Sequence, residues 1–87
     1  MAVYSILLKD SVRKDLVSIP DNYLQRIMER IGALAENPRP AGCEKLSGQE
    51  KYRVRQGNYR IIYSIEDAQL TIWVVKVGHR REVYRVS

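Results

Sequence analysis

Residues 51–63, KYRVRQGNYRIIY, alternate in steps of two on either side of Gly57-Asn58. In an extended chain Tyr52 and Val54 fall on one side, and Arg53 and Arg55 on the other. A Gly-Asn pair between two such runs is a hairpin signal, because tight β-turns need residues that tolerate positive φ. This commits the segment to a strand pair with one apolar face. The other face is strongly cationic. Lys51, Arg53, Arg55 and Arg60 fall within ten positions that contain no acid. Like charges opposed across a ladder repel, so this face is either solvated or built to meet an anion.

The flanking sequence supplies the rest of a small α+β fold. Residues 3–8 are rich in β-formers and read as a first strand. Asp10 or Ser11 can cap a helix running to about Val17, with Val12 and Leu16 on one side. Pro20 and Asp21 suit the first turn of a second helix. Along it Tyr23, Leu24, Ile27, Met28, Ile31, Leu34 and Ala35 recur at helical spacing. Asn37-Pro38 ends that helix and Pro40 prevents its resumption. Residues 37–49 read as a loop. Strands are expected over 51–56, 59–65 and 70–77, with a turn at Glu66-Asp67-Ala68-Gln69 and a break at Gly78. The 70–77 run is apolar on both faces, as a central strand requires, and Trp73 within it is read as core. Tyr59 and Tyr63 are read as core or cross-strand packing. The order is β-α-α-β-β-β, an antiparallel sheet with two helices covering one face.

At 87 residues the chain is expected to form one domain, residues 1–87. An apolar content of 45% is that of a folded globule. The single cysteine, Cys43, cannot form an internal disulfide, and one cysteine with one histidine does not make a zinc site. Residues 3–8 are too short for a secretory h-region, and no apolar run has the length of a membrane span. A cytoplasmic protein with no membrane partner is the expectation. Residues 1–43 carry six basic and five acidic side chains, whereas residues 44–87 carry nine and five, so the net charge of +5 sits mainly in the second half. That asymmetry favours nucleic acid or an acidic protein as partner.

The chemistry points the same way. With Tyr52 and Val54 turned inward, Arg53 and Arg55 face away from the helices, and Arg60 can join them. Beyond Gly78 the chain supplies His79, Arg80 and Arg81, and then Tyr84. Lys51 is read as pointing to the other face from Arg53. Guanidinium groups bind phosphate bidentately and remain charged at physiological pH. They can stabilise the added charge of a pentacoordinate phosphorane. Histidine changes charge near neutral pH, and tyrosine can stack on an unpaired RNA base. Cleavage of RNA by its own 2′-hydroxyl needs only positioning, a proton acceptor and a proton donor. There is no CxxC, P-loop, GxGxxG or Ser-His-Asp arrangement.

Residues 45–46 (KL), 52–63 (YRVRQGNYRIIY) and 77–84 (VGHRREVY) together resemble the RelE toxins of bacterial type II toxin–antitoxin modules. The opening VYSILLKDSVRKDLVSIP and the helix ending in ENPRP carry the same resemblance, which spans essentially the whole chain. It implies a microbial ribonuclease-like fold and cleavage of mRNA in the ribosomal decoding site, without metal or other cofactor. It implies Arg53, Arg55, Arg60, Arg80 and Tyr84 as catalytic residues, with Arg60 and Arg80 on the scissile phosphate and Tyr84 on a base or ribose. Lys51 and Arg81 are added as substrate contacts. The family pattern has lysines where this chain has Arg53 and Arg55, one of them proposed as general base. A guanidinium is a poor proton acceptor, because its pKa exceeds about 12; His79 is the substitute. The resemblance further implies a RelB-like antitoxin, and operator DNA bound only as the antitoxin complex. Two alternatives remain: a ParE-like poison of DNA gyrase, which shares the fold, and a non-catalytic nucleic-acid-binding module. Arg60 and Arg80 are expected to be exposed, so that alanine there removes toxicity and leaves the fold intact.

Overall fold

A computed structural model of the chain describes residues 3–48 and 50–79. The elements run β1 (Ser5–Leu8), α1 (Asp10–Val17), α2 (Asp21–Ala33), β2 (Glu44–Lys45), β3 (Tyr52–Gln56), β4 (Tyr59–Glu66) and β5 (Thr71–His79), with a 3-10 turn at Asp67–Gln69. The five strands form one sheet in the order β1-β5-β4-β3-β2. Strands β2 to β5 are antiparallel neighbours, and β1 runs parallel to β5. The α+β class and the layered arrangement are as expected. The sheet is mixed because β1 pairs with the last strand, a contact between residues more than sixty positions apart that no local pattern specifies.

Each element follows from local chemistry. Neither helix has a side-chain cap; Lys9 and Pro20 stand at the N-cap positions, and Asp10 and Asp21 place a carboxylate in the first turn. Val12, Ile27 and Ile31 are the buried stripe of the two helices. They meet Val54, Ile61, Tyr63, Ile72, Val74 and Val77 from the inner face of the sheet, with Ile19 and Leu34 completing the core. The hairpin pairs Gln56 with Tyr59 around Gly57-Asn58. Gly57 takes φ +61° and Asn58 does not turn positive, the pattern of a II′ turn. Leu70, expected to begin the last strand, instead closes the 3-10 turn in the left-handed region at φ 48°.

Two departures in β5 matter for the site. The strand does not stop at Gly78, which pairs with Arg60, and His79 continues it opposite Tyr59. The ladder also slips once: Tyr63 pairs with Val74 but Ile62 pairs with Lys76, so Val75 is an extra residue. This bulge explains why the strand reads as apolar on both faces. Val74 and Val77 are three positions apart yet both pack inward. Past the end of β1, the outer edge of β5 is covered by α1: the Val77 amide donates to Asp15 Oδ2 at 3.4 Å, and Lys76 Nζ lies 3.1 Å from Asp15 Oδ1.

The loop after α2 is tied to the sheet. The buried Tyr63 hydroxyl donates to the Pro38 carbonyl at 2.7 Å, and burial pushes its phenol well above the usual range. Arg39 donates from two nitrogens to the two oxygens of Asp67, at 3.3 and 2.9 Å, and Tyr4 donates to the same carboxylate at 2.7 Å. The hydrogen bonds from Arg39, and after them that from Tyr4, hold the Asp67 carboxyl below its ordinary value. The bond to Asp67 raises the Tyr4 phenol above its own.

Candidate functional site

The arginine face is built by register. Lys51, just before β3, and Arg53 and Arg55 within it are spaced by two, and inward Val54 fixes the two arginines on the side away from the helices. Lys51 therefore shares the face of Arg53, contrary to the sequence reading; a spacing of two returns a strand residue to the same side. Arg55 stands directly opposite Arg60. The other neighbour of Arg60 is Gly78, which adds no side chain to the row. In the next row Arg53 faces Ile62, with Glu44 of β2 on its other side.

The electrostatics of the three arginines differ. Arg55 is exposed. Arg53 retains 13% of its side-chain surface and is ion-paired with Glu44. Arg60 is only 4% exposed, the buried charged residue among those described. The expectation that Arg60 lies exposed outside the core is thus overturned; on a central strand with strand neighbours on both sides, it is buried. A guanidinium held away from bulk water acts on a nearby anion through a lower effective dielectric. Arg55 and Arg60, opposed on adjacent strands, offer two forks to one phosphate.

His79 does not join them. It pairs with Tyr59, their rings meet edge-on at 5.8 Å, and Tyr59 in turn lies 5.9 Å from Tyr23 of α2. With Asp15, Ser18, Ile19, Tyr59, Val77 and Gly78 it lines a cleft of about 350 Å³ on the helix side. The bulge at Val75 is the cause. Unbroken alternation from Ile72 and Val74 would carry residue 79 to the arginine face, and the extra residue reverses it. Arg80, Arg81 and Tyr84 lie outside the described residues.

Sequence reasoning missed two features. Glu44 falls in the stretch 37–49 that reads as a loop, and only the two-residue strand β2 brings its carboxylate against Arg53. Trp73, read as core, is half-buried on the face away from the helices, opposite Leu7 and Ser64, with Lys9 Nζ 5.0 Å from its ring centroid. Glu44 carries no local signal. Trp73 carries one, its odd spacing from inward Ile72 and Val74.

Two helices on one face of a five-stranded sheet, with opposed arginines on the other face, define a small α+β class of protein. The comparisons resolve the class. The family described as "ParE toxin of type II toxin-antitoxin system, parDE" matches residues 6–84. Toxin RelG of Mycobacterium tuberculosis is 30% identical over 86 residues, covering 94% of this chain and 97% of the relative. The toxin–antitoxin complex RelBE2 of Mycobacterium tuberculosis contains a chain that superposes with TM-score 0.80 at 27% identity, covering 90% of this chain and 99% of that one. The archaeal RelE–RelB complex of Pyrococcus horikoshii gives 0.81 at 31%, covering 90% and 96%. The chain belongs to the RelE/ParE superfamily of type II toxin–antitoxin toxins and is of the RelE type.

Proposed function

We propose that this toxin is a ribosome-dependent endoribonuclease that cleaves mRNA in the decoding site. The nucleophile is the RNA's own 2′-hydroxyl, which attacks the adjacent phosphate; a proton leaves that hydroxyl and another is given to the departing 5′-oxygen. The observation that carries the reading is the direct opposition of exposed Arg55 and buried Arg60 beside Gly78. Two like charges facing across a ladder repel, and an anion lying between them would offset that repulsion. They would hold the scissile phosphate and stabilise the charge that develops on it. Arg53 and Lys51 extend the cationic rows along β3, and Arg80, Arg81 and Tyr84 are proposed to complete the site from the C-terminal segment. For the proton acceptor, the arginine face supplies Glu44 beside Arg53, whereas His79 lies with Tyr59 on the helix side. Carboxylates serve as general bases where geometry allows.

The partner in this reading is a RelB-like antitoxin, since the Mycobacterium tuberculosis and Pyrococcus horikoshii relatives are complexes of that kind. The antitoxin neutralises the toxin and carries the operator-DNA contacts of the complex. The decisive assay presents an end-labelled mRNA to the purified chain, once on stalled ribosomes and once free. Cleavage on the ribosome at a defined codon is expected, lost in Arg55→Gln and in Arg60→Met, which keeps the stem volume that alanine would delete. The matching family bears the ParE name, which favours a second reading as a DNA gyrase poison. Intact mRNA in both tubes, together with inhibition of gyrase supercoiling, would establish that reading instead.

A further inference from the structure

The sheet face continues past the arginines into a second cleft that the cleavage chemistry does not use. It has a volume of about 540 Å³ and is lined by Lys9, Ser11, Lys51, Ser64, Glu66, Trp73 and Val75. We infer that this cleft is a subsite for the single-stranded RNA flanking the cleaved codon, in which one unpaired base stacks on Trp73 while Lys9 and Lys51 take its phosphates. The inference rests on the RNA-cleaving reading and adds a substrate contact to it.

Three observations carry it. The first is continuity: Lys51 is two residues from Arg53 on β3, and Ser64 is four residues from Arg60 on β4. At about 3.3 Å per residue, Arg60 and Ser64 are about 13 Å apart along the strand, a distance that a few nucleotides cover at about 3.4 Å or more each. A strand held by Arg55 and Arg60 reaches the cleft without leaving the sheet. The second is the platform. Among the described residues no helix lies over the sheet face that carries Trp73, a costly placement for a core residue, and neighbouring Leu7 is 42% exposed as well. Aromatic rings on open sheet faces are the usual stacking surfaces for unpaired bases. The third is charge. Lys9 already sits over the Trp73 ring. A surface cation–π contact is weak compared with base–aromatic stacking, so a base can displace the ammonium, which then meets the phosphate beside it. Ser11 and Ser64 offer hydroxyls, and Glu66 an acceptor for base amino groups or the 2′-hydroxyl. A protein segment fits less well, because the cleft joins a face whose cations match a repeating phosphate.

Trp73 is the only tryptophan in the chain, so its emission reports the cleft directly. The purified toxin is titrated with end-labelled single-stranded RNAs of three and nine nucleotides, following label anisotropy and Trp73 emission together. The nine-mer is expected to bind more tightly and to quench Trp73, and the three-mer to bind with little quenching. Lys9→Gln should weaken the nine-mer several-fold and leave the three-mer unchanged, and Lys51→Gln should weaken the nine-mer several-fold. Each should also reduce the slope of log affinity against log salt by about 0.7. Trp73→Leu should bring nine-mer affinity down to that of the three-mer; should that variant not fold, the lysine variants and the emission of the unaltered chain decide. Nine-mer binding with Trp73 emission unmoved would overturn the subsite and leave the arginine site standing. Equal quenching by an acidic peptide of the same charge would overturn it in favour of a protein segment. Absence of nine-mer binding at low salt would overturn the subsite, whereas the RNA-cleaving reading stands or falls on cleavage of mRNA on the ribosome.

Discussion

Replacing Arg55 with glutamine separates a binding role from a structural one, because the two make opposite predictions for stability. Arg55 is exposed and stands directly opposite Arg60. Like charges so placed destabilise by roughly the 0.2–1 kcal/mol that cross-strand pairs are worth. Removing one should therefore raise stability by up to about 1 kcal/mol. For a chain of this size each kcal/mol moves the melting temperature by about 4–8 °C, so Arg55→Gln should melt a few degrees higher. RNA binding should move the other way. Each phosphate contact contributes about 0.7 to the salt slope for a single strand, and over a fourfold change in salt that amounts to about 2.6-fold in affinity per contact. Arg55→Gln should show a slope lower by about 0.7, weaker affinity at low salt, and lost cleavage on the ribosome. Thermal unfolding by circular dichroism and anisotropy at 50–200 mM salt read the two effects on the same sample. A variant that melts lower by several degrees, or keeps the full salt slope, would refute the assignment and return Arg55 to a packing role.

Glu44→Gln should lower single-turnover cleavage by about 10²–10⁴-fold, the range of general acid–base contributions, with RNA affinity unchanged or tighter because a negative charge is gone; His79→Gln should leave the rate near that of the unaltered toxin, and the reverse pattern would make the helix-side histidine the acceptor. Tyr63→Phe removes a hydroxyl that donates at 2.7 Å to the Pro38 carbonyl from a fully buried position, and urea unfolding should show a loss of about 0.5–1.5 kcal/mol; an unchanged midpoint would mean that water replaces the bond. The Arg39–Asp67–Tyr4 group should give stability a pH dependence at both ends. Asp67 is held below its unfolded value, so its contribution is present above about pH 4 and is lost as pH falls through the folded value. Tyr4 is held above its own, so its contribution is present below about pH 10 and is lost as pH rises through the folded value. Asp67→Asn should flatten both limbs in melting curves recorded across pH, and an unaltered profile would show that the group does not couple to folding.

The sequence by itself determined what local periodicity encodes. The hairpin at Gly57-Asn58, the two amphipathic helices, and the inward set Val12, Ile27, Ile31, Val54 and Ile61 follow from spacings of two and 3.6 together with turn chemistry. The cationic face was legible for the same reason, since Arg53 and Arg55 alternate with residues that must be buried. Tertiary structure decided the rest, through pairings remote in sequence. It set β1 parallel to β5, brought Glu44 against Arg53, and placed buried Arg60 between exposed Arg55 and Gly78. One extra residue at Val75 did most. An apolar run shows no break in its pattern where a bulge occurs, yet the slip in the ladder turns Val77 inward, extends β5 past Gly78 and carries His79 away from the arginines. Alternation tells which residues share a face only as far as the ladder keeps register, and register is a property of the paired strands rather than of either one.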